Sequence, residues 1–176
     1  MIKLGAKELR STMPEFEQLQ SIKRNPIYIV LDNVFDTYNV GSIFRLADAV
    51  AAEKVLLCGQ TETPPNPRIK KASVDTWQWI EWEHAESAKS AIENLKLKIK
   101  NLRVYAVEQS EKSVPYDKVE YGFPLALVVG NETYGVSKDV LDISDNILEI
   151  PMFGVNKSLN VMVSLGIVLF EAMKNL

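Results

Sequence analysis

Short apolar runs rich in Ile, Val and Leu recur along the chain and alternate with stretches of helical period. The runs lack regular alternation with polar residues, so they predict strands buried on both faces. Such strands alternating with helices are typical of an α/β domain with a mostly parallel sheet flanked by helices. The predicted strands cover residues 27–31, 55–58, 79–82, 103–107, 125–129 and 147–150.

Four stretches with apolar residues at helical spacing predict helices at residues 40–51, 87–100, 138–143 and 158–174. Residues 7–21 also have a helical pattern, which Pro14 interrupts, so we expect residues 1–25 to form a helical extension. The chain has 176 residues, of which 47% are hydrophobic, and this is enough for one compact core. We therefore expect a single domain spanning residues 1–176.

The net charge of −3 argues against a wholly basic nucleic-acid-binding protein but allows local basic clusters. One such cluster ends segment 61–71, whose three prolines predict an irregular loop. We expect this loop to contact substrate, although basic groups are also common on surfaces without function. The clusters are Lys7 with Arg10, Lys23 with Arg24, and Arg68 with Lys70 and Lys71.

The remaining composition points to a cytoplasmic protein without a metal site. The single cysteine, Cys58, lies in an apolar run and cannot form an intrachain disulfide. The N-terminus shows no apolar signal core, and no apolar run is long enough to span a membrane. No grouping of His, Cys and carboxylates predicts a metal, and His84 is expected to be structural. Trp77, Trp79 and Trp82 are expected to anchor an edge strand, with base stacking as the alternative.

Segment 31–49 joins a buried strand to a helix through a polar turn. Gly41 permits a tight entry to the helix, and Arg45 lies one turn further on. We expect Asn39 and Arg45 near the carboxyl edge of the sheet, where ligands of open α/β folds bind. The alternative is that Asn39 caps the helix and Arg45 is a solvated surface residue.

Segment 125–137 is an apolar strand that stops at Gly130 and continues in a turn with Glu132 and Gly135. A glycine at the end of a strand lets a ligand approach the backbone, and two glycines flanking an acid are typical of a binding turn. The dinucleotide fingerprint G-x-G-x-x-G is absent. An ordinary strand-to-helix turn with an exposed acid is the alternative.

Segment 147–173 contains a strand, an irregular turn and a long apolar helix. Ser158 is placed to cap the N-terminus of that helix, which would fully explain its polarity. Asn160 is an amide just inside the helix, among Val, Met, Leu and Ile residues. We therefore expect Asn160 to contact a polar group in a pocket.

In this order and spacing, the three segments resemble the motifs of the TrmH/SpoU family of SPOUT RNA 2′-O-ribose methyltransferases. The family motifs read N-x-G-x-x-x-R, G-x-E-x-x-G and I-P-M-x-G-x-x-x-S-L-N-V. The resemblance covers almost the whole chain from Pro26 onwards. The matching residues are Asn39, Gly41 and Arg45; Gly130, Glu132 and Gly135; and Ile150, Pro151, Met152, Gly154, Ser158, Leu159, Asn160 and Val161.

The resemblance implies features of fold and cofactor that the sequence patterns alone do not reveal. The sheet would carry a C-terminal deep trefoil knot that binds S-adenosyl-L-methionine (SAM). It also implies a homodimer through the knot region; the apolar final helix fits such an interface, and it fits a core helix equally. The implied cofactor site consists of Leu127, Val129, Gly130, Glu132, Ile150, Met152, Ser158, Leu159 and Asn160.

The implied reaction moves the methyl group of SAM to a ribose 2′-hydroxyl of tRNA or rRNA. The resemblance assigns Arg45 to activating the hydroxyl. Because a guanidinium with a pKa of roughly 12.5 or above is a poor base, the alternative is that Arg45 holds a substrate phosphate and polarises the hydroxyl. Asn39 would orient Arg45 or the ribose, and Glu132 would position the first-motif loop. Ser158 and Asn160 would fix the geometry of cofactor and substrate.

The implied RNA contacts are Arg45 and the basic loop residues Arg68, Lys70 and Lys71. Two other functions remain open: a catalytically silent knotted RNA-binding protein, and a flavodoxin-like nucleotide-binding domain without a knot. The retained motif residues argue against the first, and the lack of a glycine loop that cradles phosphate argues against the second. The sequence does not say which RNA is modified, and transfer to a base is a further alternative.

Overall fold

A computed structural model of the protein describes residues 3–9 and 12–176. In this part of the chain, seven strands form one sheet in the order β3-β2-β1-β6-β4-β7-β5, and all pairings between them are parallel. The prediction of a mostly parallel sheet is confirmed. The strands are β1 (Asn25–Asp32), β2 (Ala52–Cys58), β3 (Trp82–Ala85), β4 (Arg103–Val107), β5 (Val114–Pro115), β6 (Leu125–Gly130) and β7 (Asn146–Glu149).

Helices cover both faces of the sheet. Two of them, α3 and α7, pack on one face and α5 and α6 on the other, while α4 packs on α3. The helices in the described residues are α1 (Ala6–Leu9), α2 (Phe16–Gln20), α3 (Thr37–Ala49), α4 (Pro67–Ser73), α5 (Ala88–Lys98), α6 (Lys138–Leu141) and α7 (Val161–Ala172).

Alternate side chains of the central strands enter two separate hydrophobic clusters. On β1, Ile29 and Leu31 join the cluster under α3 and α7, whereas Val30 joins the cluster under α5. All six residues of β6 are buried. The continuous apolar runs therefore mark strands covered on both faces, as predicted.

The prediction of an irregular loop over residues 61–71 is wrong at its basic end, which forms helix α4. Asn66 caps this helix, with its side-chain oxygen accepting from the backbone N–H groups of Arg68 and Ile69. Pro67 occupies the first helical position, where a missing N–H costs nothing. The proline that suggested a loop therefore marks the start of a helix.

The predicted strand over residues 79–82 is also wrong. A 3₁₀ helix covers Thr76–Gln78, and the edge strand β3 begins only at Trp82. The indole N–H of Trp79 donates to Asp48 of α3 over 2.7 Å, which takes this side chain away from the sheet. The tryptophans at 77, 79 and 82 all pack against the core, but only Trp82 belongs to the edge strand, so the predicted anchoring of that strand holds for Trp82 alone.

The other helices lie close to their predicted positions, and their ends differ by up to three residues. The interrupted helix predicted for residues 7–21 is two short helices, α1 and α2, on either side of Pro14. Arg10, from the first basic cluster, lies outside the described residues. The two-residue strand β5 was not predicted because Val114–Pro115 is too short to show a pattern.

Gly41 serves a different purpose from the tight helix entry that we expected. It lies inside α3, which begins at Thr37, and the backbone of α4 packs directly against it. A Cβ at position 41 would lie 2.6 Å from the carbonyl oxygen of Ile69 and 2.7 Å from the Cβ of Ala72. Glycine is therefore required for α3 and α4 to approach each other.

We expect Gly41→Ala to lower the free energy of unfolding by about 1–3 kcal/mol, because the two helices must separate to admit the methyl group. Gly166→Ala in α7 is the matched control, since its new Cβ would meet Leu46 at 3.6 Å, an ordinary contact. The control is expected to be neutral or to stabilise by up to about 1 kcal/mol through helix propensity. Urea unfolding of both variants tests this, and equal losses would contradict it.

Candidate active site

A cavity of about 480 Å³ lies at the carboxyl ends of β4, β6 and β7. Its volume is within the range of about 300–1,000 Å³ typical of small-molecule sites. Three segments line it. The first is residues 107–109, at the end of β4. The second contains residues 130–135, which we name the second-motif turn, and the third contains residues 150–160, which we name the third-motif loop. The lining residues are Val107, Glu108, Gln109, Val129, Gly130, Asn131, Glu132, Thr133, Gly135, Ile150, Met152, Asn156, Lys157, Ser158, Leu159, Asn160, Val161 and Ser164.

The second-motif turn is closed by its own hydrogen bonds. Asn131 and Gly135 exchange two backbone hydrogen bonds, of 3.0 and 2.9 Å, and the Asn131 side chain accepts from the N–H groups of Thr133 and Tyr134. A Cβ at Gly130 would overlap the backbone of Gly135. Gly130 is thus required to close the turn, and it also lines the cavity.

Carboxylates at the ends of β1 and β4, the two strands that flank β6, hold the end of this turn. The Asp32 carboxylate, at the end of β1, accepts from the Ser137 N–H over 2.8 Å. The Glu108 carboxylate, just after β4, accepts from the Val136 N–H over 2.8 Å. Sequence reasoning missed both acids; the available signal was an acid at the end of a buried apolar strand.

Glu132 connects the second-motif turn to the loop before α3, which we name the first-motif loop (residues 33–36). Its carboxylate accepts from the backbone N–H groups of Phe35 and Asp36 over 3.1 and 3.0 Å. It also accepts from Nδ2 of Asn39 over 3.0 Å. The carboxylate therefore lies against the first-motif loop, as the resemblance implied.

Asn39 continues this connection to α7. A carboxylate accepts only, so Asn39 must direct its NH₂ group to Glu132 and its oxygen away from it. That oxygen accepts from Nδ2 of Asn160 over 2.9 Å, and Oδ1 of Asn160 accepts from the N–H groups of Met162 and Val163. Glu132, Asn39 and Asn160 thus form one chain of hydrogen bonds, which we call the amide chain.

This arrangement corrects two predictions. The N-cap of α7 is Asn160, not Ser158, because the helix begins at Val161, two residues later than a Ser158 cap requires. Asn160 does meet a polar group, Asn39. Asn39 in turn neither caps α3, whose N-cap is Asp36, nor contacts Arg45.

The environment of Glu132 favours its charged form. Burial raises the pKa of Glu132, but hydrogen bonds from the Asn39 side chain and from backbone N–H groups, including those of Asp36 and Phe35, outweigh it. The pKa therefore lies below its ordinary value. The charge that holds the first-motif loop is present at neutral pH.

The cavity includes all but one of the residues expected to bind the cofactor. Leu127 is the exception: it is fully buried in the hydrophobic core, paired with Ile29 of β1 and Tyr105 of β4. It lies in the middle of β6, whereas the cavity opens at the end of that strand. Leu127 is therefore a core residue.

Arg45 and the basic residues of α4 do not line the cavity. Arg45 is exposed on α3 and makes no hydrogen bond or ion pair with any residue in the described ranges. On α4, Arg68, Lys70 and Lys71 are exposed, and the Nζ of Lys70 lies 3.9 Å from Asp75. One copy of the chain thus assembles Asn39, Glu132, Ser158 and Asn160 but leaves Arg45 outside.

The other candidate residues lie away from the cavity. Cys58 is buried, and burial, followed by nearby Asp32 and Glu83, raises the pKa of its thiol to about 12. The ring Nε2 of exposed His84 lies 2.9 Å from the carbonyl oxygen of Gly59.

Within residues 3–9 and 12–176, no His, Cys, Asp and Glu side chains form a cluster that could bind a metal ion. None of the helices described is long and apolar enough to cross a membrane.

The fold and the cavity together define an α/β domain that binds a small ligand at the carboxyl edge of its sheet. Residues 26–170 match the model of the SpoU rRNA methylase family. The tRNA (guanosine(18)-2′-O)-methyltransferase of Aquifex aeolicus is 29% identical over 170 residues, which cover 94% of this chain and 77% of the relative. The protein belongs to the SpoU rRNA methylase family.

Two solved structures are similar to this fold. The A. aeolicus TrmH/SpoU tRNA modifying enzyme superposes with a TM-score of 0.79 at 28% identity, over 97% of this chain and 81% of that one. An AdoMet-bound rRNA methyltransferase from Sinorhizobium meliloti superposes with a TM-score of 0.78 at 28% identity, over 90% of this chain and 60% of that one. The SPOUT fold class expected from the motifs is confirmed.

We expect Glu132→Gln to lower the thermal midpoint at pH 7, because the charge that accepts the N–H groups of Phe35 and Asp36 is lost. The folded-state pKa of Glu132 is lowered, so its stabilising effect is complete above the unfolded value of about 4.3 and is lost as pH falls through the folded value. The difference in midpoint between wild type and variant should therefore shrink below about pH 4. Thermal unfolding between pH 3 and 8 measures it, and a constant difference would refute the assignment.

Proposed function

We propose that the protein transfers the methyl group of SAM to a ribose 2′-hydroxyl of tRNA, and that it does so in the cytoplasm. The observation that carries the proposal is the amide chain, which joins all three motif segments beside a cavity of suitable volume. The choice of tRNA over rRNA rests on the A. aeolicus relative, whose name specifies tRNA.

The chemistry of the cavity suits SAM. Ile150, Met152 and Leu159 offer apolar surface to an adenine ring, and the third-motif loop adds polar groups at Ser158 and Asn160. Glu132 adds a negative charge beside the cavity, which favours a cationic ligand. Bound SAM supplies a methyl group on a positively charged sulfur.

The protein's own residues then have to place the 2′-hydroxyl so that it can lose its proton during attack. Alignment of the oxygen behind the methyl carbon is the main requirement, because the hydroxyl is a weak nucleophile. Arg45 is too weak an acid to act as a base at neutral pH, so it holds a substrate phosphate and polarises the hydroxyl. The proton passes to phosphate or water. Asn39, Glu132, Ser158 and Asn160 fix the loops that present the cofactor.

In a single copy of the chain, Arg45 lies outside the cavity. In a homodimer, Arg45 of the second copy would reach the cavity of the first. Helix α7 presents an apolar stripe at Val163, Ile167 and Phe170, spaced i, i+4 and i+7, and Phe170 is 52% exposed. Leu159, at the cavity, is 40% exposed. An exposed apolar face of this kind is typical of a protein interface. The second copy of the chain is the proposed occupant, with Arg45 acting across the interface.

The proposed surface for RNA is α4, which packs beside α3 and directs Arg68, Lys70 and Lys71 to solvent. Three cations on one short helix can bind phosphates without sequence preference. The deep trefoil knot of the third-motif region is likewise proposed from the resemblance.

The central experiment is SAM titration by calorimetry, followed by methylation of tRNA and rRNA with nucleoside mass spectrometry. We expect micromolar SAM binding and a 2′-O-methylated nucleoside from tRNA. Asn160→Ser should weaken SAM binding at least about 10-fold, because serine can cap α7 but its shorter side chain does not reach Asn39 as the amide does. Asn94→Ser, at an exposed position of α5, is the matched control.

Arg45→Ala should keep SAM affinity and slow methyl transfer at least about 100-fold.

Three results would separate this proposal from its alternatives. Product on rRNA alone would overturn the choice of tRNA, and a methylated base would overturn the choice of ribose. Binding of tRNA without SAM binding at millimolar concentration would favour a silent RNA-binding protein.

The double substitution Lys70→Glu and Lys71→Glu should raise KM for tRNA and leave SAM affinity unchanged. Lys98→Glu on α5 is the control.

We expect Phe170→Asp to dissociate the homodimer, because it places a charge in the apolar stripe of α7. Leu97→Asp is the matched control, since Leu97 is 85% exposed on α5, on the opposite face of the sheet. Sedimentation velocity should give a dimer for wild type and Leu97→Asp, and a monomer for Phe170→Asp. A monomeric wild type, or a dimer that survives Phe170→Asp, would contradict the proposed interface.

A further inference from the structure

We propose that Glu108 and Gln109, directly after β4, are positioning residues that hold the second-motif turn and the third-motif loop in the geometry that binds SAM. Neither residue belongs to the three motifs. Both line the cavity, in the segment opposite the amide chain. The proposal rests on the SAM binding proposed above.

Glu108 fixes the end of the second-motif turn. Its Oε2 accepts from the Val136 N–H over 2.8 Å, and its Oε1 accepts from the Gln109 N–H over 2.8 Å. Gly135 has a φ of +70°, and a Cβ at this position would overlap the Glu108 carboxylate. The carboxylate can therefore reach Val136 only because the turn has glycine at position 135. Hydrogen bonds to a charged acceptor are about twice as strong as neutral ones.

Gln109 fixes the third-motif loop. Its Nε2 donates to the carbonyl oxygen of Lys157 over 2.6 Å, across 48 residues of sequence. Lys157 directly precedes Ser158 and Leu159, which line the cavity. Since the Gln109 side chain is exposed, its removal takes away this hydrogen bond without opening a void in the core.

The two residues complete the frame around the cavity. Glu132 and Asn39 hold the turn and α7 on the side of the first-motif loop, and Glu108 and Gln109 hold the turn and the third-motif loop from β4. Loops that are fixed before binding cost less free energy to order when the ligand arrives. Loss of either residue should therefore weaken SAM binding, and it should not slow transfer from SAM that is already bound.

The test compares Gln109→Met, similar in length but unable to donate, and Glu108→Gln, which cannot accept both N–H groups. Gln60→Met and Glu111→Gln, at exposed positions outside this cavity, are the matched controls. Calorimetry should show a Kd for SAM raised about 3- to 10-fold by Gln109→Met and more by Glu108→Gln. KM for SAM should rise in parallel, while kcat at saturating SAM and KM for tRNA stay within about twofold.

The outcomes separate this proposal from the proposed function. If wild type does not bind SAM, the function itself fails. If wild type binds SAM and Gln109→Met binds it within twofold of wild type, the positioning role is wrong and the function stands. A fall in kcat at unchanged SAM affinity would also overturn it. Gln109→Met decides the matter if Glu108→Gln does not fold.

Discussion

The carboxylate of Glu132 is the interaction on which the geometry of the site depends. It accepts two backbone N–H groups from the first-motif loop and the amide of Asn39, whose oxygen accepts from Asn160. Because Asn160 also caps α7, the start of that helix is joined to the same chain of hydrogen bonds. Neutralising Glu132 would weaken all three hydrogen bonds at once, because hydrogen bonds to a charged acceptor are stronger than neutral ones.

The parallel sheet makes this arrangement possible. Strands that run in the same direction bring their carboxyl ends to one edge, so residues far apart in sequence become neighbours there. Asn39 lies 93 residues from Glu132 and 121 residues from Asn160, yet hydrogen bonds join it to both. Buried acids at the ends of neighbouring strands, such as Asp32, then fix the turns that follow.

Sequence patterns predicted the sheet, and the family resemblance predicted most residues that line the cavity, more accurately than either predicted the contacts within the site. Buried strands such as β6 are recognisable because both of their faces exclude polar residues. The basic segment was misread because Pro67 is compatible with a loop and with a helix start. Ser158 and Asn160 are both good N-caps, so only the position of the helix start decides between them.

The remaining misses have the same physical origin, because they depend on contacts across the fold. Nothing near Glu108 in sequence indicates that its carboxylate meets the Val136 N–H. The family resemblance could not tell that Leu127 lies too early in β6 to reach the cavity. The position of Arg45 outside the cavity likewise follows from how α3 packs against α4 and α7.

The central claim is that Glu132, Asn39 and Asn160 act as one unit that builds the cofactor site. A double-mutant cycle on SAM affinity, with Asn39→Ala and Asn160→Ser, tests it most directly. If the residues act as a unit, the double variant binds SAM about as weakly as the worse single variant, with a coupling of about 1 kcal/mol or more. Additive effects, within about 0.3–0.5 kcal/mol, would show independent contributions and contradict the account.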